Sequence, residues 1–179
     1  RVDPETVLTK ENGRDYANVN EAVDRLLTDV MQSLRAIKPN IAIEFRQQYV
    51  GPTMRKFGNM FRAFDCPNDV VSNRIRITDV KLLCGETAVH SDMLKWHEDE
   101  QVEIAALEVL NAFFGVPQMS IHLRHYPKSH LKMVEFYLKY WKENADIILS
   151  GKFTAKKPLA NYPLLKTIKN GHSVVGVYD

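Results

Sequence analysis

Short apolar runs that end in charged residues constrain the fold of this 179-residue chain most strongly. The clearest run covers residues 60–65, where an apolar stretch leads to Arg62 and Asp65 just before a proline. Similar runs cover residues 41–46 and 87–92. In a (β/α) barrel the carboxyl ends of successive parallel strands meet at one face and carry the chemistry. The pattern therefore predicts an α/β fold in which three neighbouring strands share one polar rim.

The rest of the chain alternates between helical and strand patterns, which favours a parallel sheet with right-handed crossovers. Helices are expected at 18–37, 69–83, 98–114 and 128–149, and strands at 41–45, 60–64, 87–90 and 118–123. Gly115 is expected to cap the third helix. The character changes after Gly151, where Asn170-Gly171 predicts a hairpin turn before a strand. We expect two domains, a partial (β/α) barrel over residues 1–151 and the start of a β domain over residues 152–179.

Composition excludes several classes of partner. The formal net charge is +2, with cations and anions interleaved, so neither nucleic acid nor a membrane surface is an expected partner. No apolar stretch approaches the roughly 20 residues that span a bilayer. Cys66 and Cys84 make no disulfide framework, which favours a reducing, cytoplasmic location. The histidine spacings match no common zinc pattern, so no metal and no cofactor are expected.

Length raises a question about how complete the fold is. A full eight-stranded barrel takes about 250 residues, and only four strand–helix units are visible here. The chain is therefore either a small open α/β domain or a part of a larger enzyme.

Asp65 and Asp69 are the leading candidates for chemistry. Two aspartates in a loop rich in proline and asparagine are also common as turn residues or helix N-caps. The nearby Arg62 and the charged ends of the other strands favour a sugar site. Carboxylates accept hydrogen bonds from hydroxyls, arginine donates to sugar oxygens, and an aromatic such as Trp96 covers an apolar sugar face. Glycoside hydrolysis uses two carboxyl groups, one of which protonates the leaving oxygen.

At these residues the chain resembles glycoside hydrolase family 36, the α-galactosidase or melibiase family. The resemblance rests on long, ordered motifs: Ile43-Glu44-Phe45-Arg46-Gln47, Gly58-Asn59-Met60-Phe61-Arg62, Asp65-Cys66-Pro67-Asn68-Asp69 and Thr87-Ala88-Val89-His90-Ser91-Asp92-Met93-Leu94-Lys95-Trp96-His97. It implies a retaining hydrolase on a (β/α)₈ TIM barrel followed by a C-terminal β-sandwich. This chain would then be the second half of the barrel and the first strands of the sandwich.

The resemblance also implies roles for particular residues. Asp65 matches the acid/base aspartate of the sixth strand, and Asp69 is its rival because the loop can be aligned in more than one way. The matching substrate-binding positions are Glu44, Arg46, Arg62, Asp92 and Trp96. The implied substrates are terminal α-D-galactosides of the melibiose and raffinose type, cleaved by double displacement. A relative with transglycosylase or α-N-acetylgalactosaminidase activity is a weaker alternative.

One departure from the family pattern concerns the nucleophile. The family places it in a Lys-x-Asp strand, and no such strand precedes the first predicted helix; Asp3 is a poor substitute. We therefore expect the nucleophile upstream of this chain and no glycosidase activity from the chain alone. Its partners would be the remainder of the parent enzyme or a second copy of the chain. The alternative is a non-catalytic half-barrel module that binds carbohydrate or pairs with a partner.

Overall fold

The computed structural model describes Gly13, residues 15–66 and residues 68–178, so Asp3 lies outside the described residues. The chain divides into two units, Arg1–Ile43 and Glu44–Asp179. In the first unit, helix α1 (Val19–Ile37) begins at Asn18, as its N-cap pattern predicts. The Asn18 Oδ1 accepts from the N–H of Asn20 at 2.8 Å, which satisfies a helix-terminal donor. The helix ends before Pro39, because proline cannot continue it.

In the second unit a four-stranded parallel sheet has the order β1-β2-β3-β4. The strands are β1 (Glu44–Arg46), β2 (Met60–Arg62), β3 (Ala88–Leu94) and β4 (Val116–Met119). Helix α2 (Val70–Cys84) links β2 to β3, and α3 (Val102–Asn111) links β3 to β4. A short 3₁₀ turn at Thr53–Lys56 lies between β1 and β2. Each connection advances the sheet by one strand, so the expected α/β class with parallel strands is confirmed.

The register gives the parallel sheet one apolar and one polar face. Phe45, Phe61 and Val89 are aligned across three strands, and Phe61 and Val89 are fully buried. They belong to the main core with residues of α2, α3 and α4 (Lys128–Glu143): Ile77, Val80, Cys84, Ala105, Val109 and Val134. On the opposite face the aligned residues are Arg46, Arg62 and His90. Because side chains alternate along a strand, this polar row faces away from that core.

An irregularity in β3 changes this alternation near the end of the strand. The register with β4 shifts between His90 and Met93. Ser91 and Asp92 are consecutive residues, yet both are buried. A bulge re-aims side chains in this way, and here it takes a carboxylate into the interior.

A three-stranded antiparallel sheet follows, with the order β5-β6-β7. Its strands are β5 (Lys152–Lys156), β6 (Leu164–Lys169) and β7 (His172–Val177). Asn170 and Gly171 have φ values of 51° and 78°, as a two-residue hairpin turn of this type requires, so the predicted hairpin is confirmed. The second core cluster contains residues from both sides of the expected boundary at residue 151: Phe113, Phe114, Ile148, Tyr162, Leu165 and Val174.

Several expected element bounds are wrong, including those of two strands: the strand expected over 41–45 is Glu44–Arg46, and the one expected over 118–123 is Val116–Met119. Helix α3 starts later than expected, because the N–H of Glu100 bonds the carbonyl of His97 in a turn. Gly115 lies beyond the C-cap of α3; a Cβ on it would be 2.9 Å from the carbonyl oxygen of Val89, so glycine permits a close approach of two backbones. The helix expected over 128–149 is two helices, α4 and α5 (Ala145–Ser150), with a break at Asn144. Within the described residues, no helix has the length and apolar character needed to span a membrane.

Candidate functional site

Charged side chains from the ends of β1 and β2 meet around Asp65. Nη2 of Arg62 donates to Oδ1 of Asp65 at 2.9 Å. Nη1 of Arg46 donates to both Asp65 oxygens, at 3.0 and 2.8 Å. The side chains of Arg46 and Asp65 are 51% and 47% exposed, whereas that of Arg62 is only 13% exposed. The carboxylate therefore lies at the rim, with one fixed and one solvent-accessible arginine.

The two arginines set the protonation behaviour of Asp65. The hydrogen bond from Arg62 has the largest effect on the Asp65 carboxyl; with the charge of Arg46 and its hydrogen bond, it holds the pKa below its usual value although desolvation opposes them. An opposite charge within hydrogen-bond distance favours the ionised form. In the absence of a ligand, Asp65 is an anion at neutral pH.

The backbone on either side of Asp65 is held by side chains that sequence reasoning missed. The N–H of Phe64 donates to Oε1 of Gln47 at 3.0 Å. The ring of Phe64 lies under two guanidinium groups, 5.6 Å from Arg46 and 5.2 Å from Arg76. Nη1 of Arg76 also donates to the carbonyl oxygen of Asp65 at 3.3 Å. These contacts restrict the loop that carries the candidate acid/base.

Asp92 lies beneath this rim and is 2% exposed. Its Oδ1 accepts from Nη1 of Arg62 at 2.7 Å, and its Oδ2 accepts from the N–H of Cys66 at 2.6 Å. Burial and the nearby carboxylate raise the pKa of the Cys66 thiol to about 11, so this thiol is not an activated nucleophile.

Asp69, the rival of Asp65, is the N-cap of α2. Its Oδ1 accepts from the N–H of Ser72 at 2.9 Å and its Oδ2 from the Ser72 hydroxyl at 2.6 Å. These hydrogen bonds lower the pKa of the Asp69 carboxyl. The helix-cap alternative stated from the sequence therefore describes Asp69, and both of its oxygens are used within α2.

Glu44 lies on the polar face of the sheet, in contact with His90. Its Oε2 lies within hydrogen-bond distance of Nδ1 of His90, across the intervening strand β2. Nδ1 of His90 also lies 3.1 Å from Nε2 of Gln118. Glu44, His90 and Gln118 thus form a polar row over β1, β3 and β4, next to Arg62.

Trp96 follows β3 and is largely buried. Its Nε1 donates to Nδ1 of His130 at 3.1 Å, and its ring meets the edge of Tyr126 at a centroid distance of 5.9 Å. It also lines a cleft of about 530 Å³ with Asn68 and Glu108. Burial raises the pKa of the Glu108 carboxyl to about 7. Trp96 is therefore beside a cleft at the strand ends, but it is not part of the arginine–carboxylate cluster.

The structure thus brings Arg46, Arg62, Asp65 and Asp92 into one hydrogen-bonded cluster. Within the described parts of the chain, no group of three or more His, Cys, Asp or Glu side chains could hold a metal ion. The supporting roles of Gln47, Asn73 and Arg76 were not predicted, although Gln47 stands in one of the quoted motifs, because these roles depend on contacts between distant segments.

No protein-family model and no curated protein matches the sequence. Among solved structures, the galactosidase domain of an α-galactosidase-sucrose kinase matches with a TM-score of 0.61 and 14% sequence identity. The match covers 82% of this chain and 22% of that one. The chain therefore has a galactosidase-like fold, and it spans about a fifth of the length of the structure it matches.

Proposed function

We propose that the chain is part of a retaining glycoside hydrolase of the family 36 type that removes terminal α-D-galactosides. Its four parallel strands would form the second half of a (β/α)₈ barrel, and residues 152–179 would begin a C-terminal β domain. The observation that carries the proposal is the arginine–carboxylate cluster at the ends of adjacent parallel strands, in a galactosidase-like fold. Active sites of (β/α) barrels are built at this end of the strands.

Asp65 is the proposed general acid/base. In a double displacement, a second carboxylate attacks the anomeric carbon while Asp65 protonates the leaving oxygen, and Asp65 then takes a proton from water. The two carboxyl groups must lie about 5 Å apart. We assign the nucleophile to a barrel strand supplied from outside residues 1–179, so these residues alone would not turn over substrate.

At least one arginine hydrogen bond to Asp65 must be lost before this carboxyl can act as an acid, because both arginines lower its pKa. A general acid works best when its pKa lies near the operating pH, and Arg62 and Arg46 keep that of Asp65 low. Arg46 is the exposed member of the pair. A sugar that displaces Arg46 from Asp65 removes one positive charge and raises the pKa of the carboxyl toward the range in which it carries a proton.

Other polar groups of the cluster would hold the sugar. Arg46 and Arg62 donate hydrogen bonds to sugar oxygens, and Glu44 accepts from a hydroxyl. Trp96 would act at the edge of the neighbouring cleft, where the leaving group extends. A sugar with several hydroxyls suits this mixture of fixed donors and acceptors better than an apolar ligand does.

The sheet also suggests where the rest of a barrel would join. β1 and β4 are its two edges, and unpaired strand edges normally need protection. The remaining strands of a parent enzyme, or a second copy of this chain, would pair there and cover the polar face that carries Glu44 and His90.

A carbohydrate-binding module without catalysis is the second candidate. The observation in its favour is that both oxygens of Asp65 accept hydrogen bonds from arginine and that its pKa is lowered. Such a carboxylate is well suited to accept from sugar hydroxyls and poorly suited to donate a proton.

The test compares Asp65→Asn with Asp69→Asn in the intact protein that contains this chain. Asparagine caps a helix about as well as aspartate, so Asp69→Asn is a matched control in the same loop. We expect Asp65→Asn to lower kcat on melibiose or raffinose about 1,000-fold, because the poor leaving group needs its proton. On nitrophenyl α-galactoside, cleavage of the glycosidic bond should suffer far less.

Equal losses on both substrates for Asp65→Asn would remove its acid/base role. A selective loss in Asp69→Asn would transfer that role to Asp69. Binding of galactose by an intact protein without any turnover would favour the carbohydrate-binding module.

A further inference from the structure

Asp92 is almost fully buried beneath the rim of the site. It is 2% exposed, and each carboxylate oxygen accepts a short hydrogen bond from the protein, one from Arg62 and one from the N–H of Cys66. Hydrogen bonds to a charged acceptor are roughly twice as strong as neutral ones. Because the side chain is buried, a sugar hydroxyl would reach this carboxylate only if the surrounding residues moved.

The two groups that Asp92 binds lie on either side of Asp65. Arg62 precedes Asp65 by three residues and also donates to it at 2.9 Å. Cys66 follows Asp65 directly in the sequence. The buried carboxylate of Asp92 therefore holds Arg62, which orients the Asp65 side chain. It also holds the peptide group between Asp65 and Cys66.

The backbone of Asp92 is in turn held by Asn73. Its N–H donates to Oδ1 of Asn73 at 3.0 Å, and Nδ2 of Asn73 lies 3.5 Å from its carbonyl oxygen. Asn73 is on the first turns of α2 and is 3% exposed. The bulge between His90 and Met93 is what turns Asp92 inward, toward Asn73 and Cys66. Residues of β2 and α2 thus both bind Asp92 of β3, Arg62 through the carboxylate and Asn73 through the backbone.

We propose that Asp92, supported by Asn73, is a positioning residue that holds Arg62 and Cys66 so that the carboxyl group of Asp65 is presented at a fixed place. Asp92 does not touch the sugar in this account, which departs from the substrate contact implied by the family resemblance. The consequence for catalysis rests on the proposed function, but the positioning itself does not.

The first test measures Asp65 directly and needs no activity. Carboxyl carbon NMR of the chain, labelled at aspartate, gives the pKa of Asp65 in wild type and in Asp92→Asn. Arg62 and the N–H of Cys66 donate to different oxygens of Asp92, and asparagine replaces one of these oxygens with an NH2 donor. We therefore expect Arg62 to lose its orientation and the pKa of Asp65 to rise toward its usual value. If Asp92 acted only through its charge, removing that charge would lower the pKa of Asp65. A lowered or unchanged pKa overturns the proposal.

Two further variants keep the proposal testable if Asp92→Asn does not fold. Arg62→Lys keeps the positive charge but has no planar fork to bind both aspartates, and it should also raise the pKa of Asp65. Asp79→Asn is the matched control, because Oδ1 of Asp79 accepts from the hydroxyl of Tyr162, away from this cluster. It should leave the pKa of Asp65 unchanged. If Asp92→Asn does not fold, an Asp65 pKa that does not rise in Arg62→Lys overturns the proposal.

The second test applies to the intact protein. Misplacement of a reacting group by about 1 Å can cost about 100-fold in rate, so Asp92→Asn should lower kcat on an α-galactoside by that order with KM changed less than about twofold. A large rise in KM with kcat retained would show that Asp92 binds the sugar and would overturn the proposal. An inactive wild type with the expected NMR result would contradict the proposed function alone.

Discussion

Two groups of cations in the second unit are balanced in different ways. At the strand ends, Arg46 and Arg62 face the carboxylates of Asp65 and Asp92. On α2, Arg74 and Lys81 are buried, and their partners are neutral. Nη1 of Arg74 donates to Oδ1 of Asn111 at 2.6 Å and its guanidinium lies 4.3 Å from the ring centroid of Tyr178. Nζ of Lys81 donates to the carbonyl oxygen of Ile148 at 2.8 Å.

This difference distinguishes a site where a ligand can replace a side-chain partner from a cluster that stabilises the fold. At the rim, solvent reaches Arg46 and Asp65, so a polar ligand can replace one partner of the ion pair at small cost. On α2 the donors are removed from water, and losing them would leave buried acceptors without a partner. The arginine–carboxylate cluster is therefore where ligand chemistry is expected, and Arg74 and Lys81 join α2 to the segments around the antiparallel sheet.

The largest difference in stability should appear between Arg74→Met and Arg46→Met. Loss of Arg74 leaves the carbonyl oxygen of Asn161 and Oδ1 of Asn111 without their donor, at a cost of about 3 kcal/mol. Loss of the exposed Arg46 should cost less than about 1 kcal/mol. Urea unfolding of the chain measures both. Similar losses would mean that the two groups do not differ as described.

Lys81 should give the stability of the chain a distinctive pH dependence. Burial lowers the pKa of Lys81 to about 8 in the folded chain, compared with roughly 10.4 for an unperturbed lysine. Between these pH values the unfolded state binds more protons, so the stability of the wild type rises with pH. Relative to Lys81→Met, the wild type should gain up to about 3 kcal/mol from about pH 8 to about pH 10.4.

Unfolding curves of both proteins across this pH range provide the measurement. Substitution of an exposed lysine, Lys152→Met, serves as the control and should leave the pH dependence of the wild type unchanged. A constant difference between wild type and Lys81→Met would show that the Lys81 amine is charged throughout this range.

The smallest effect distinguishes the two aspartates of the Asp65 loop. Asp69→Ala removes the cap of α2 and should cost about 1 kcal/mol, whereas Asp69→Asn should cost only a few tenths. Asp65→Ala should lower the thermal midpoint less than Asp69→Ala does. The reverse order would mean that Asp65 is the structural residue and Asp69 the one free for chemistry.

The sequence was informative where local rules decide the structure. The alternation of patterns predicted the four parallel strands, and Asn170-Gly171 predicted the hairpin between β6 and β7. Asn18 marked the start of α1 because an N-cap acts within its own turn. The charged ends of the strands also predicted that Arg46, Arg62 and Asp65 would meet, since parallel strands align their carboxyl ends.

The parts that were missed depend on contacts between distant segments. Asp92 is buried because a bulge interrupts β3, and nothing in residues 87–92 marks that bulge. Arg74 and Lys81 look like solvent-exposed helix residues in the sequence, yet their partners lie 37 to 87 residues away. The break at Asn144 was missed because the apolar pattern continues through it.

The central claim is that a galactoside binds at the Asp65 cluster by displacing Arg46. The pKa of Asp65 in the intact protein tests this claim most directly. Carboxyl NMR would follow the pKa of Asp65 as methyl α-D-galactoside is added, with methyl α-D-glucoside as the matched control sugar. The account predicts that the pKa of Asp65 rises from its lowered value on saturation with the galactoside and stays unchanged with the glucoside. Saturable galactoside binding that leaves the Asp65 resonance and its pKa unchanged would contradict it.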